Sequence, residues 1–169
     1  MKKVIKCGLD SASIGRAINE LRAYRESLDK KVAELVQMLT MDGVEVARTW
    51  VAVAQGGSHD ASVDYLINSV GDITAAQISL NGKDALFIEF GAGIHYNGSD
   101  PPHAAQFGYG VGTYNPSSDN AFNPDGWYYY NGTQKVHSYG IEGTYPLYHA
   151  AENARNNAIQ KAVEIFSRS

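Results

Sequence analysis

Tyr65-Leu66-Ile67-Asn68-Ser69-Val70 and Ile73-Thr74-Ala75-Ala76-Gln77-Ile78-Ser79-Leu80 are the segments on which the fold class turns. Both are rich in β-branched and aromatic residues, and the second alternates in part, so both read as strands. Asn81-Gly82 follows, a favoured hairpin turn. The next run, Ala85-Leu86-Phe87-Ile88-Glu89-Phe90, is short and apolar. Its periodicity leaves strand and helical turn open, and the block 63–90 is assigned to strands.

Upstream the periodicity is helical. Ile14, Ala17, Ile18, Leu21, Tyr24, Leu28, Val32, Leu35, Val36 and Leu39 recur mostly at steps of three and four, which places them on one packing face. Arg16, Arg22, Arg25, Glu26, Lys30, Lys31 and Glu34 occupy the other. A helix is expected over 13–39, on the order of 40 Å long at 1.5 Å per residue, capped by Ser11 or Ser13. Asp42-Gly43 predicts a break. A second, shorter helix is expected over 44–54, and Gln55 to Asp60 reads as a Gly-rich loop.

Downstream, residues 91–126 are rich in Gly, Asn, Ser, Asp, Pro and aromatics and form a long irregular loop. Trp127 to Tyr130 and Gln134 to Tyr139 flank Asn131-Gly132-Thr133, a β-hairpin signal over 127–139. The last helix is expected over 145–167, with Thr144 as its cap and Pro146 in its first turn. Helices, strands, loop, hairpin and helix, without βαβ alternation, predict an α+β fold. An antiparallel sheet is packed by a long N-terminal and a C-terminal helix, in a single domain over 1–169.

Composition narrows the function. An apolar fraction of 44% predicts a folded chain. The formal charge of −4, with no cluster of Lys and Arg, is unlike a nucleic-acid reader. Cys7 is the lone cysteine, so neither a disulfide framework nor a Cys-based zinc site is expected. No signal peptide or membrane-length apolar run is visible, and folding in a reducing cytosol is the expectation.

Few residues point to chemistry. His95, His103, Asp119 and Asp125 share one stretch, but their spacing matches no metal signature, and no metal or other cofactor is expected. His59-Asp60 is weaker still. No GxSxG elbow is present, and Gly108 to Thr113 lacks the P-loop lysine. Glu89 is the one acid whose neighbours imply burial. A buried glutamate serves either as an acid with a raised pKa or as a partner of an Arg or backbone N–H that fixes a turn. The second reading is preferred. Tyr96, Phe107, Tyr109, Tyr114, Phe122 and Trp127 are the candidate interface residues, because Tyr and Trp bring large contact area to protein interfaces.

Two stretches carry a family resemblance. Phe87-Ile88-Glu89-Phe90-Gly91-Ala92-Gly93 resembles the EFGT segment of the HK97-type phage gene-product-ten family, whose members are head–tail joining, neck or tail-completion proteins. Val136 to Ala151 is similar to that family's glycine turn and proline-led C-terminal helix, with Tyr139, Gly140 and Pro146 at motif positions. The long N-terminal helix agrees in position. Ala92 stands where the family has Thr, the 55–63 loop replaces a Pro-x-x-Thr-Gly-x-Leu stretch, and the aromatic loop from His95 to Gly126 is an elaboration.

The resemblance implies a non-enzymatic virion protein made in the bacterial cytoplasm. It would form a homo-oligomeric ring between head-closure and tail-tube or terminator proteins, with no membrane contact, and DNA would pass without specific binding. The alternative expectation is a cell-wall glycan-binding module or hydrolase using the aromatic loop and Glu89.

Overall fold

A computed structural model describes residues 4–54, 60–93 and 125–168. Its first element is one uninterrupted helix, α1 (Ser11–Val53). Asp10 caps it by accepting from the Ser13 N–H at 2.8 Å, while the Ser13 hydroxyl accepts from the Gly8 N–H at 2.7 Å. The cap is therefore Asp10, one residue before the helix, in place of the expected Ser11 or Ser13.

The predicted break at Asp42-Gly43 does not occur. Gly43 is buried, and a Cβ added there would lie 2.7 Å from Ile78 Cδ1 and 3.7 Å from Ala150 Cβ. This glycine brings three elements together at the expense of helix propensity, a cost of about 1 kcal/mol relative to Ala. The separate helix expected over 44–54 is the second half of α1.

β1 (Ser62–Val70) and β2 (Ile73–Asn81) pair antiparallel in unbroken register from Ser62↔Asn81 to Val70↔Ile73. The turn between them is Gly71-Asp72, while Asn81-Gly82, expected to open a second hairpin, leads into a helix instead. Gly71 sits at the first turn position with φ +64°, the requirement of a II′ turn. Val63 is buried, and the cross-strand residues Ile78 and Leu80 pack with it against α1. The core is Val44, Ala47, Val63 and Ala150. At its far end the hairpin meets α1 where Arg25 donates to Asp72 at 3.0 Å.

Residues 85–90, assigned to strands from the sequence, form a short helix, α2 (Ala85–Phe90). The two-residue strand β3 (Ala92–Gly93) follows and pairs with β6 (Gly140–Ile141). β4 (Trp127–Tyr130) pairs with β5 (Lys135–Ser138) around Asn131, whose side chain accepts from the N–H groups of Thr133 and Gln134. The last helix, α3 (Pro146–Ser167), runs antiparallel to α1. Its start is marked by His149 stacked on Trp50, with centroids 3.9 Å apart. Its end is marked by Arg168, which pairs with Glu34 and whose carbonyl accepts from Lys31. The architecture is α+β, with three two-stranded antiparallel ladders among the described residues. No helix among them is long and apolar enough to cross a membrane.

Candidate functional site

The family-like residues converge on the start of α3. Leu147, Tyr148 and His149 carry the first main-chain donors of this helix, because Pro146 at its first position has none. Tyr145, the residue at the cap position, is left-handed (φ 51°, ψ 47°), and its side chain makes no cap. Thr144, the expected cap, sends its N–H to the Ile88 carbonyl at 2.8 Å, and its buried hydroxyl finds no partner.

Glu89 supplies what both lack. Its Oε2 accepts from the Leu147 N–H at 2.9 Å and its Oε1 from the Tyr148 N–H at 3.2 Å. The His149 N–H closes the first helical turn on the Tyr145 carbonyl at 3.0 Å. One carboxylate, 58 residues distant in the chain, thus satisfies the two donors that a local Ser, Thr or Asp normally takes. The positive end of the helix also favours its negative charge.

Main-chain packing closes the clasp. α2 ends on Gly91, whose φ of +77° turns the chain out of the helix while its N–H bonds the Phe87 carbonyl at 2.7 Å. Gly143 lies so close that an added Cβ would sit 2.7 Å from the Gly91 nitrogen. Beyond this crossing β3 pairs with β6, joining Gly93 to Gly140. Ile88 and Pro146 are fully buried beside it.

Burial raises the pKa of Glu89 above its ordinary value of 4.5, and the bonds from Leu147 and Tyr148 oppose the rise. Both oxygens are committed to main-chain donors, which is the bonding of a cap.

The other expected site residues divide. Phe90 is half-buried at the end of α2, Gly140 lies in β6, and Tyr139 is exposed, its ring edge-on to His137. Trp127 opens β4. Tyr96, Phe107, Tyr109, Tyr114 and Phe122 lie outside the described residues, as do His59, His95, His103 and Asp119. Asp125 is described, and its carbonyl meets His137 Nε2 at 2.9 Å. No group of three His, Cys, Asp or Glu side chains fit to hold a metal occurs among the described residues.

Sequence reasoning gave no warning of two features of α1. Its C-terminal half carries open grooves lined by Met41, Val44, Glu45, Arg48 and Ala52 on one side and by Arg48, Val51 and Val63 on the other. Near its start Ile14, Ile18 and Leu21 are exposed. Compared with known protein families, with curated proteins and with solved structures, the chain matches none.

Proposed function

We propose that this chain is a structural subunit of a tailed-bacteriophage particle, assembling as a ring at the connection between head and tail. One observation carries the reading. The two stretches that resemble the gene-product-ten family, 87–93 and 136–151, lie far apart in sequence yet build a single clasp. Glu89 of the first caps the helix of the second, Gly91 packs on Gly143, and β3 pairs with β6. The EFG residues thus have a joint physical purpose: an acid to cap, an apolar neighbour, and a glycine to turn.

The mild net charge of −4 suits a ring through which DNA passes, since phosphate binding draws on clustered Lys and Arg. Head-closure proteins on one side and tail-tube or terminator proteins on the other are the proposed neighbours, within a virion assembled in the bacterial cytoplasm. The glycan reading draws no support from Glu89, whose two oxygens already bond α3.

Deleting the gene from a phage that carries it is the test. Separate filled heads and free tails by electron microscopy are expected. Intact infectious particles would overturn the proposal.

A further inference from the structure

Among the described residues, β1 and β2 pair only with each other, so this sheet has two outer edges. The two-residue turn fixes which main-chain groups the ladder uses. Val70 bonds Ile73, and bonded pairs alternate from there. The N–H and C=O groups of Val63, Tyr65, Ile67 and Ser69 therefore point outward from β1. The Val63 carbonyl accepts from Arg48 at 3.5 Å. Among the described residues, the outward main-chain groups of the other three make no bond. α3 touches the hairpin through β2, where Ile78 and Ala150 meet over Gly43. The open edge is β1.

Folded proteins blunt such edges with Lys, Pro, a bulge or a short strand. β1 has nine residues in unbroken register, no Lys, Arg or Pro, and Asp64 as its one charge. Tyr65 and Ile67 share the α1-facing side with Val63, yet Tyr65 is 46% exposed and Ile67 only half-buried. At the Val63 end a groove lined by Arg48, Val51, Ala52, Ser62 and Asp64 lies between strand and helix. A row of outward N–H and C=O groups accepts one kind of partner, an extended backbone.

The chain itself carries one. Val4-Ile5-Lys6-Cys7 precedes α1 without helical structure, and Val4 is 75% exposed. Among the described residues its one hydrogen bond runs from the Cys7 thiol to the adjoining Gly8 carbonyl. Val and Ile favour strands. In a strand Ile5 and Cys7 would share one side, apolar enough to cover Tyr65 and Ile67, and Lys6 would take the other. Neither β1 nor β2 bears a Lys or Arg to repel Lys6.

This arm stops short of its own hairpin. Gly8 is tied to the helix start by its N–H bond to Ser13 Oγ at 2.7 Å. The hairpin meets α1 at Arg25 through Asp72, and at Arg48 through Val63. From Ser13 those points lie about 18 Å and roughly 50 Å along the helix at 1.5 Å per residue. Four extended residues span about 14 Å at most.

We infer that Val4–Cys7 of one copy adds as a third strand to the β1 edge of a second copy. The exchange serves two copies that trade arms as well as a ring that passes them round. It goes beyond the head–tail reading and does not rest on it.

Oxidative trapping in the full-length protein tests it, because Cys7 is the lone cysteine. Tyr65→Cys and Ser69→Cys place a thiol on the edge at exposed positions, and Ile159→Cys places one on α3, 80% exposed. Dimers or longer ladders joined from Cys7 to the edge thiol are expected on non-reducing gels, with peptide mass spectrometry assigning the disulfide. They should exceed several-fold those joined from Cys7 to the α3 thiol. Strand N–H groups alternate in direction, so either Ile5→Pro or Lys6→Pro removes a bonding donor and should abolish the trapping. Circular dichroism verifies that the helices persist. Equal trapping at the edge and on α3 overturns the exchange. So does trapping that survives both prolines, or a disulfide from Cys7 to the edge within one chain. No trapping in the purified protein overturns it too, whatever gene deletion says of the ring.

Discussion

The two halves of α1 share a helix and a periodicity but not an environment. From Lys31 onward the helix is flanked by α3 and the β1–β2 hairpin, and it supplies Val44 and Ala47 to the core. Before Tyr24, Ile14, Ile18 and Leu21 of the same stripe are exposed, and Ala17 alone is buried. Periodicity declares that a face is built for packing. Whether the partner belongs to the same chain is decided by element lengths, here a hairpin of nine-residue strands and a 22-residue helix laid beside one of 43 residues.

The contrast is open to measurement by substitution. The largest effect should come from Glu89→Ala, which releases the start of α3 from the covered half of α1. It strips the acceptors from the Leu147 and Tyr148 N–H groups, a loss of about 3 kcal/mol by the usual cost of unmade buried bonds. Denaturant unfolding would read it, and a loss below 1 kcal/mol would mean the clasp is incidental.

Gly43→Val should cost about 2 kcal/mol, because its branched side chain must displace Ile78 and crowd Ala150. A thermal melt unchanged from wild type would show that the covered half is loosely packed. Gly15→Ala, near the start of α1, should do the opposite. A Cβ there meets nothing within 4 Å, so only helix propensity changes, a gain of up to about 1 kcal/mol. Helix content by circular dichroism would register it, and a loss would mean that this end is closely packed after all.

The smallest expected effect is a pH dependence. Burial holds the Glu89 pKa above 4.5, so the folded chain binds this proton more readily than the unfolded chain. That contribution is present in full below pH 4.5 and is lost as pH rises through the raised folded value. Measured against Glu89→Gln, which does not titrate, the wild type should gain relative stability on acidification across that window. A relative loss would mean that the two N–H bonds outweigh burial.

What could be read from the sequence was local. The 3.6-residue period gave the course of α1 and α3, and strand composition gave β1, β2, β4 and β5. Asn131-Gly132-Thr133 marked its hairpin because that turn is made by its own residues. Gly43 and Asn81-Gly82 misled for the opposite reason. Gly43 answers to Ile78 and Ala150, and Gly82, at φ +125°, packs against the backbone of Asp60 and Ala61. The apolar setting of Glu89 pointed to burial and a bonding role, yet nothing near it in sequence names Leu147 and Tyr148. Partners this remote follow from tertiary packing, which single-chain patterns do not encode.

The clasp also decides where this chain can change. Gly93 is anchored to Gly140, and Gly126, which precedes β4, packs on Ser138. The stretch between them leaves and re-enters the frame at points only two residues apart on one short length of chain. Because its two roots lie so close, a change in the length of the stretch between them should cost little closure entropy and leave the clasp in place.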